Sequence, residues 1–151
     1  MDIGFTTTPL GCVKIEGNNG LITKISYQDE LSSSLQLPKA TYIENCILQL
    51  NQYLSRFLKH FDVPIAPSGT SFYQDVWQAL CNVPYGTTTS YKDIAYKIGS
   101  PKGFRAVGQA NNRNPIPIII PCHRVLASNG NLTGYAGGLW RKQWLLELER
   151  R

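Results

Sequence analysis

Apolar residues recur along this chain with two different periods. Within residues 3–15 and 21–27 they alternate with polar ones: Val13 and Ile15, then Leu21, Ile22, Ile25 and Tyr27. The two segments flank Gly17-Asn18-Asn19-Gly20, a pattern that predicts a β-hairpin. From Thr41 to Phe61 the apolar positions are 43, 47, 50, 54, 57, 58 and 61, close to the spacing of one helix face. The polar stretch from Ser32-Ser33-Ser34 to Pro38 reads as a loop, and Pro64, Pro67, Ser68 and Gly69 read as a linker. Residues 1–66 are thus expected to form a small α+β domain of sheet plus helix.

Residues 67–151 carry a mostly helical pattern. Phe72, Val76, Trp77 and Leu80 share a helix face that Pro84 terminates. Ser90 is placed to cap a helix over 91–98 with Ile94, Ala95 and Ile98 inward. Gly99-Ser100-Pro101 breaks it, and a further helix is expected from about Lys102 to Asn112. Two short helices around such a break suggest a helix-turn-helix. Gly138–Arg150 reads as an amphipathic helix with Trp140, Trp144, Leu145 and Leu148 facing the core.

Charge divides the chain at the same place. Residues 1–66 hold five Lys/Arg against six Asp/Glu; residues 67–151 hold ten against four. From Lys92 to Arg124 there are six basic residues and one acid, Asp93. This asymmetry suggests that one half meets a polyanion, or that it carries a solvated basic surface. No apolar run approaches the ~20 residues of a membrane span, and the N-terminus shows no signal-peptide pattern. The four cysteines (12, 46, 81 and 122) are far apart, without a CxxC, so reduced thiols in a cytoplasmic protein are expected and no metal site is.

The segment from 114 to 124, NPIPIIIPCHR, carries the chemistry. A buried cysteine is inert unless a base or cation favours its thiolate, and here His123 follows Cys122 directly. Glu149, on the last helix, is placed to orient the imidazole as the acid of a triad does. On spacing alone, Cys122 as an ordinary core thiol is the more common case, and Tyr91 as a packing residue, Arg105 as a surface charge and Glu149 as a helix-end acid stay in view.

The ordered motifs FYQDVWQALCNVPYGTTTSYKDIAYKIG, FRAVGQANNRNPIPIIIPCHRVLASNGNLTGYAGGL and KQWLLELE, over residues 72–149, resemble the O6-alkylguanine-DNA alkyltransferases (methylated-DNA–protein-cysteine methyltransferases). The resemblance implies irreversible, stoichiometric transfer of an alkyl group from O6-alkylguanine in duplex DNA to Cys122 after nucleotide flipping, with O4-alkylthymine left open. His123 would act as base through a water, Glu149 would complete the relay, and Tyr91 would donate a proton to the departing guanine. Arg105 would enter the duplex in place of the flipped nucleotide. Asn111, Asn112, Arg113 and Arg124 would join Tyr91 and Arg105 in contacting DNA. Asn114 would fix the turn before the cysteine strand, and Val125, Tyr135 and Ala136 would line the base pocket. Ala136 stands where some members carry serine, and Asn111 and Asn112 where some carry an apolar residue. No cofactor and no metal are implied, and a monomer is expected.

The rival readings are a non-catalytic lesion-binding relative, a transcription regulator and a turnover cysteine hydrolase. The intact PCHRV argues against the first and the absence of a coiled coil or extra domain against the second. The third needs an oxyanion hole and multiple turnovers.

Overall fold

Two tight turns, not one, divide the first 28 residues. The computed structural model describes residues 1–29 and 40–150, and the expected loop over 32–38 lies outside them. Strands β1 (Asp2–Thr8), β2 (Gly11–Asn18) and β3 (Leu21–Gln28) form an antiparallel meander in the order β1-β2-β3. The expected hairpin is β2–β3, closed by Asn19 and Gly20, both in the left-handed region that such two-residue turns require (φ 53° and 81°). Residues 3–15, expected as one segment, reverse at Pro9-Leu10. There Thr8 accepts from the Leu10 amide and donates its hydroxyl hydrogen to the Gly11 carbonyl. Local turn chemistry therefore overrode a continuous alternation.

Helix α1 (Thr41–Leu54) packs on β1 and β2, and its Ile43, Cys46, Leu50 and Tyr53 are buried, as are Val13, Ile15, Ile22 and Ile25 of the sheet. The helix ends seven residues before Phe61, where the spacing predicted it to continue. Arg56 takes a left-handed conformation (φ 68°), the backbone reverses, and Phe61 returns to stack against Tyr53 at 5.2 Å between ring centroids. Residues 64–66, expected as linker, instead pair with β3: the Ile22 amide donates to the Pro64 carbonyl and the Ala66 amide to the Ile22 carbonyl.

The described chain divides into two compact units, Met1–Pro67 and Ser68–Arg151. In the second, α2 (Ser71–Cys81) starts at Thr70, whose hydroxyl accepts from the Tyr73 amide at 3.2 Å. Its Trp77 indole N–H donates to the Ala110 carbonyl at 2.8 Å, fixing α2 against α4 (Phe104–Asn112). A two-residue strand, β4 (Thr89–Ser90), leads into α3 (Tyr91–Lys97), where Ser90 caps the Asp93 amide at 3.0 Å. Helices α3 and α4 flank the glycine-containing break, Gly99 being left-handed at φ 77°. Strand β5 (Val125–Leu126) pairs in parallel with β4, and α5 (Leu139–Arg150) closes the unit. The whole is the α+β architecture of a small sheet-plus-helix unit and a mostly helical one.

The inward face of α5 is not the expected one. Leu145 and Leu148 are buried, but Trp140 is 54% exposed, with the Arg141 guanidinium 4.7 Å from its ring, and Trp144 is half-buried. Lys142 and Glu149 occupy the buried stripe instead. Two charged residues on an interior face defeat a reading based on apolarity.

Gly17 lies at the bulge of β2, where a Cβ would stand 2.5 Å from the Tyr42 ring and 2.8 Å from the Leu21 carbonyl oxygen. Gly17→Ala should therefore destabilise the chain by about 1–3 kcal/mol, read from the urea midpoint. An unchanged midpoint would show that the strand and ring yield freely.

Candidate active site

The approach to Cys122 is a folded turn rather than a strand, contrary to the expectation for this segment. Asn114 spans it: the Asn114 Nδ2 group donates to the Ile120 carbonyl at 2.8 Å, and its Oδ1 accepts from the Ile116 amide at 2.9 Å. The Ile120 amide closes back on the Ile116 carbonyl at 3.0 Å. Prolines at 115, 117 and 121 cannot donate, so a regular ladder is unavailable to the segment. Ile118 is left-handed (φ 75°), a conformation that costs a β-branched residue energy and persists here because its side chain is buried. Asn114 thus fixes the turn before the cysteine.

Cys122, His123 and Arg124 form one turn of 3-10 helix, all three buried. The ladder of Thr89 with Val125 and Ser90 with Leu126 sets this turn beside the start of α3. His123 Nε2 lies 2.8 Å from Glu149 Oε2, with the imidazole fully buried. An ionised carboxylate only accepts, so Nε2 carries the hydrogen and Nδ1 is the basic nitrogen. Arg124 donates from Nε to Glu149 Oε1 at 2.9 Å and from Nη2 to Oε2 at 2.8 Å. The Gly86 amide adds a fourth donor to the same carboxylate at 3.3 Å.

Burial pushes the Cys122 thiol up to about 11; a hydrogen bond from Asn114 and the charge of Lys142 oppose that rise. Burial also lowers the basicity of His123, with Arg124 and Lys142 adding to the effect and Glu149 opposing it. The resting state is therefore a neutral thiol beside a neutral imidazole. Chemically, an imidazole in this state can accept a thiol proton, and Glu149 is bonded where it would stabilise the cation formed.

Sequence reading missed Lys142 and Thr133. Lys142 is wholly buried and donates from Nζ to the Thr133 carbonyl at 2.6 Å. Desolvation holds its ammonium down at about 8, while the charge of Cys122 acts to raise it. The Thr133 hydroxyl meets the Tyr91 phenol at 3.0 Å, so one threonine joins the phenol to the lysine. The available signal was the odd position of a lysine on the inward stripe of α5, three residues before Leu145 and seven before Glu149. A charge there needs a reason.

The remaining expected residues separate into two groups. Arg105, Asn112 and Arg113 are exposed along α4 and its C-terminal end, and Lys92 and Arg105 approach the Phe104 ring at 5.4 and 5.9 Å. Asn112 also lies against Gly134 of the following loop. Two residues expected on the DNA face are not there. Asn111 is buried and donates to the Cys122 carbonyl at 3.3 Å, because its side chain sits on the inner face of α4. Arg124 is buried because both of its ends are engaged, the fork on Glu149 and Nη1 on the Val83 carbonyl at 2.7 Å. Of the pocket residues, Val125 and Tyr135 are buried and Ala136 is exposed on the loop before α5. Among the described residues no group of three or more His, Cys, Asp or Glu side chains is arranged to hold a metal.

Comparison with known proteins gives a consistent result. A family model described as the DNA-binding domain of 6-O-methylguanine DNA methyltransferase matches residues 71–151. The methylated-DNA–protein-cysteine methyltransferase of Methanosarcina barkeri is 47% identical over 94% of this chain and 92% of its own. The crystal structure of Mycobacterium tuberculosis OGT in complex with DNA aligns with a TM-score of 0.90 at 42% identity, covering 99% of this chain and 93% of that one. An O6-methylguanine DNA methyltransferase from Methanococcus jannaschii aligns at 0.71 with 27% identity, over 97% and 92%.

The buried ammonium gives a direct test of the electrostatics at the thiol. Lys142→Met should slow alkylation of Cys122 by iodoacetamide about tenfold at neutral pH, since one unit of thiol pKa is a tenfold change in thiolate. The native advantage should fade as pH rises through about 8, where Lys142 loses its charge. Peptide mapping of the modified cysteine measures both; equal rates at pH 7 would remove Lys142 from the site.

Proposed function

Since the chain belongs to the 6-O-methylguanine DNA methyltransferase family, we propose that Cys122 is the acceptor through which it repairs O6-alkylguanine in duplex DNA. On this reading it is a DNA-binding repair enzyme that transfers the alkyl group to its own cysteine and acts once per chain. The observation that carries the assignment of residues is the buried run of Cys122, His123 and Glu149, with a 2.8 Å imidazole–carboxylate bond, set beside Tyr91.

The lesion lies inside the base stack, so the nucleotide must leave the helix to meet a buried thiol, at a cost of a few kcal/mol. Arg105, exposed near the start of α4, is the side chain to fill the gap, offsetting lost stacking and meeting the phosphate potential. With Arg113, Asn112 and the Tyr91 end of α3 it makes up the DNA-facing surface. The flipped base enters between Val125 and the loop of Tyr135 and Ala136, where backbone groups read its edge.

Chemistry then follows from the relay. His123 takes the Cys122 proton, directly or through one water, and the sulfur attacks the alkyl carbon. The S–C bond forms as the C–O6 bond breaks, and its electron pair leaves with the guanine. The Tyr91 phenol donates a proton to that anion, and the imidazolium, stabilised by Glu149, holds the proton from the thiol until it passes to solvent or back to the phenolate. The product is a thioether, which has no carbonyl for water to attack, so the thiol is not regenerated. This separates the reading from a turnover hydrolase.

We place the protein in the cytoplasm as a monomer. Four free thiols support the compartment, and a reaction between one chain and one lesion calls for no second copy.

The decisive measurement is intact mass after incubation with duplex DNA carrying one O6-methylguanine. A gain of one CH2 per chain, saturating there and absent in Cys122→Ala, is expected; no gain would leave Cys122 a core thiol. Arg105→Ala should slow reaction with the duplex at least tenfold while sparing reaction with free O6-benzylguanine, which needs no flipping. Equal slowing of both would place Arg105 in the chemistry instead.

A further inference from the structure

The Glu149 carboxylate is shared. His123 holds one hydrogen bond to it, whereas Arg124 holds two, one on each oxygen, and the Gly86 amide occupies Oε1 as well. Arg124 is in turn fixed by its bond to the Val83 carbonyl and by the Tyr85 ring, 5.7 Å from the guanidinium carbon. A carboxylate facing an imidazole alone would raise the basicity of that imidazole and favour imidazolium at rest. An imidazolium cannot accept the thiol proton. The second partner therefore bears on the reaction.

We propose that Arg124 is a positioning residue of the relay, which by taking both oxygens of Glu149 keeps His123 the neutral base that the Cys122 thiol requires. The inference rests on the alkyl-transfer reading for its kinetic test, while its spectroscopic test asks only for the folded protein. The guanidinium fork matches a carboxylate in two parallel bonds, so it fixes the plane of Glu149 as well as its charge. Aimed by that plane, Oε2 receives the His123 hydrogen and leaves Nδ1 as the acceptor. The charged and titratable groups around His123 are Cys122 and Arg124 on its own turn and Lys142 and Glu149 on α5. Cys81, at the end of α2, feels the same guanidinium. Among these Glu149 alone favours the imidazolium, and Arg124 is the cation bonded to it.

The sign follows directly. A neutral base is lost as pH falls through its pKa, so a cation that depresses that pKa extends the reaction to lower pH. Replacing Arg124 by a neutral residue should move the acid limb of the rate profile upward. In single-turnover reactions with O6-methylguanine duplex, Arg124→Gln should shift the limb upward by about one to two pH units. Below the limb this is about a ten- to hundredfold loss. Arg124→Lys, which keeps the charge but not the fork, should return the limb most of the way towards native while leaving the rate above it reduced. A folded Arg124→Gln protein slowed equally at every pH, with its limb unmoved, would reduce Arg124 to a structural tie and overturn the proposal.

The unaltered protein supplies a test that needs neither folding of a variant nor activity. His60 and His123 are the only two histidines, so NMR of the imidazole carbons with His60→Gln as the assignment control follows His123 alone. His123 should stay neutral below the ordinary value of 6.5, held there first by burial and further by the charge of Arg124. Titration at or above that value would overturn the proposal, even if the mass experiment had found no alkyl transfer.

Discussion

Everything in the active unit converges on one buried carboxylate. Glu149 accepts hydrogen bonds on both oxygens, two from Arg124, one from His123 and one from the Gly86 amide. Gly86 brings in the loop after α2, Arg124 and His123 the turn that carries the nucleophile, and Glu149 itself the last helix. A buried ion is expensive to desolvate and becomes tolerable only when paired and fully bonded. Once the carboxylate is inside, its donors must be held within hydrogen-bond distance, so the electrostatic demand also fixes the geometry. Removing one member would leave the others uncompensated, which makes the site and the packing of α5 one structural problem.

The nucleophile is placed by a different device. The turn over residues 114–122 contains three prolines and a left-handed isoleucine, and a single asparagine side chain bridges its ends. Rigidity here serves a thiol that is otherwise unreactive, because burial alone raises its pKa. Asn114 and Lys142 act on that thiol from opposite sides of the chain, one by hydrogen bond and one by charge. Lys142 reaches back through Thr133 to Tyr91, so the phenol and the ammonium meet on one threonine, at its hydroxyl and its carbonyl. The pocket loop is thus tied to the chemistry as well as shaped for it.

Much of this was legible in the sequence where the physical signal is local. Ser90 announces the start of α3, Asn19-Gly20 the hairpin, and the adjacent Cys122 and His123 the candidate site. Interior polarity was less readable. Arg124 and Asn111 look like DNA ligands because polar side chains in a basic segment are normally exposed, and only the fold shows that both turn inward. The same ambiguity hid Lys142 and put Trp140 on the wrong side of α5, since an apolar face is recognised by what it lacks. The overrun of α1 had another cause: Phe57, Leu58 and Phe61 keep helical spacing, yet Arg56 breaks the backbone and Phe61 packs back on Tyr53. Spacing records which residues are apolar, not which path leads them to the core.

The order of the chain gives the carboxylate one more meaning. His123 is synthesised 26 residues before Glu149, and the two meet only after α5 has been made and has docked. Until then the thiol has no oriented base beside it and reacts as any unactivated cysteine does. The bond that orients the imidazole thus waits on the docking of a helix made after the cysteine turn.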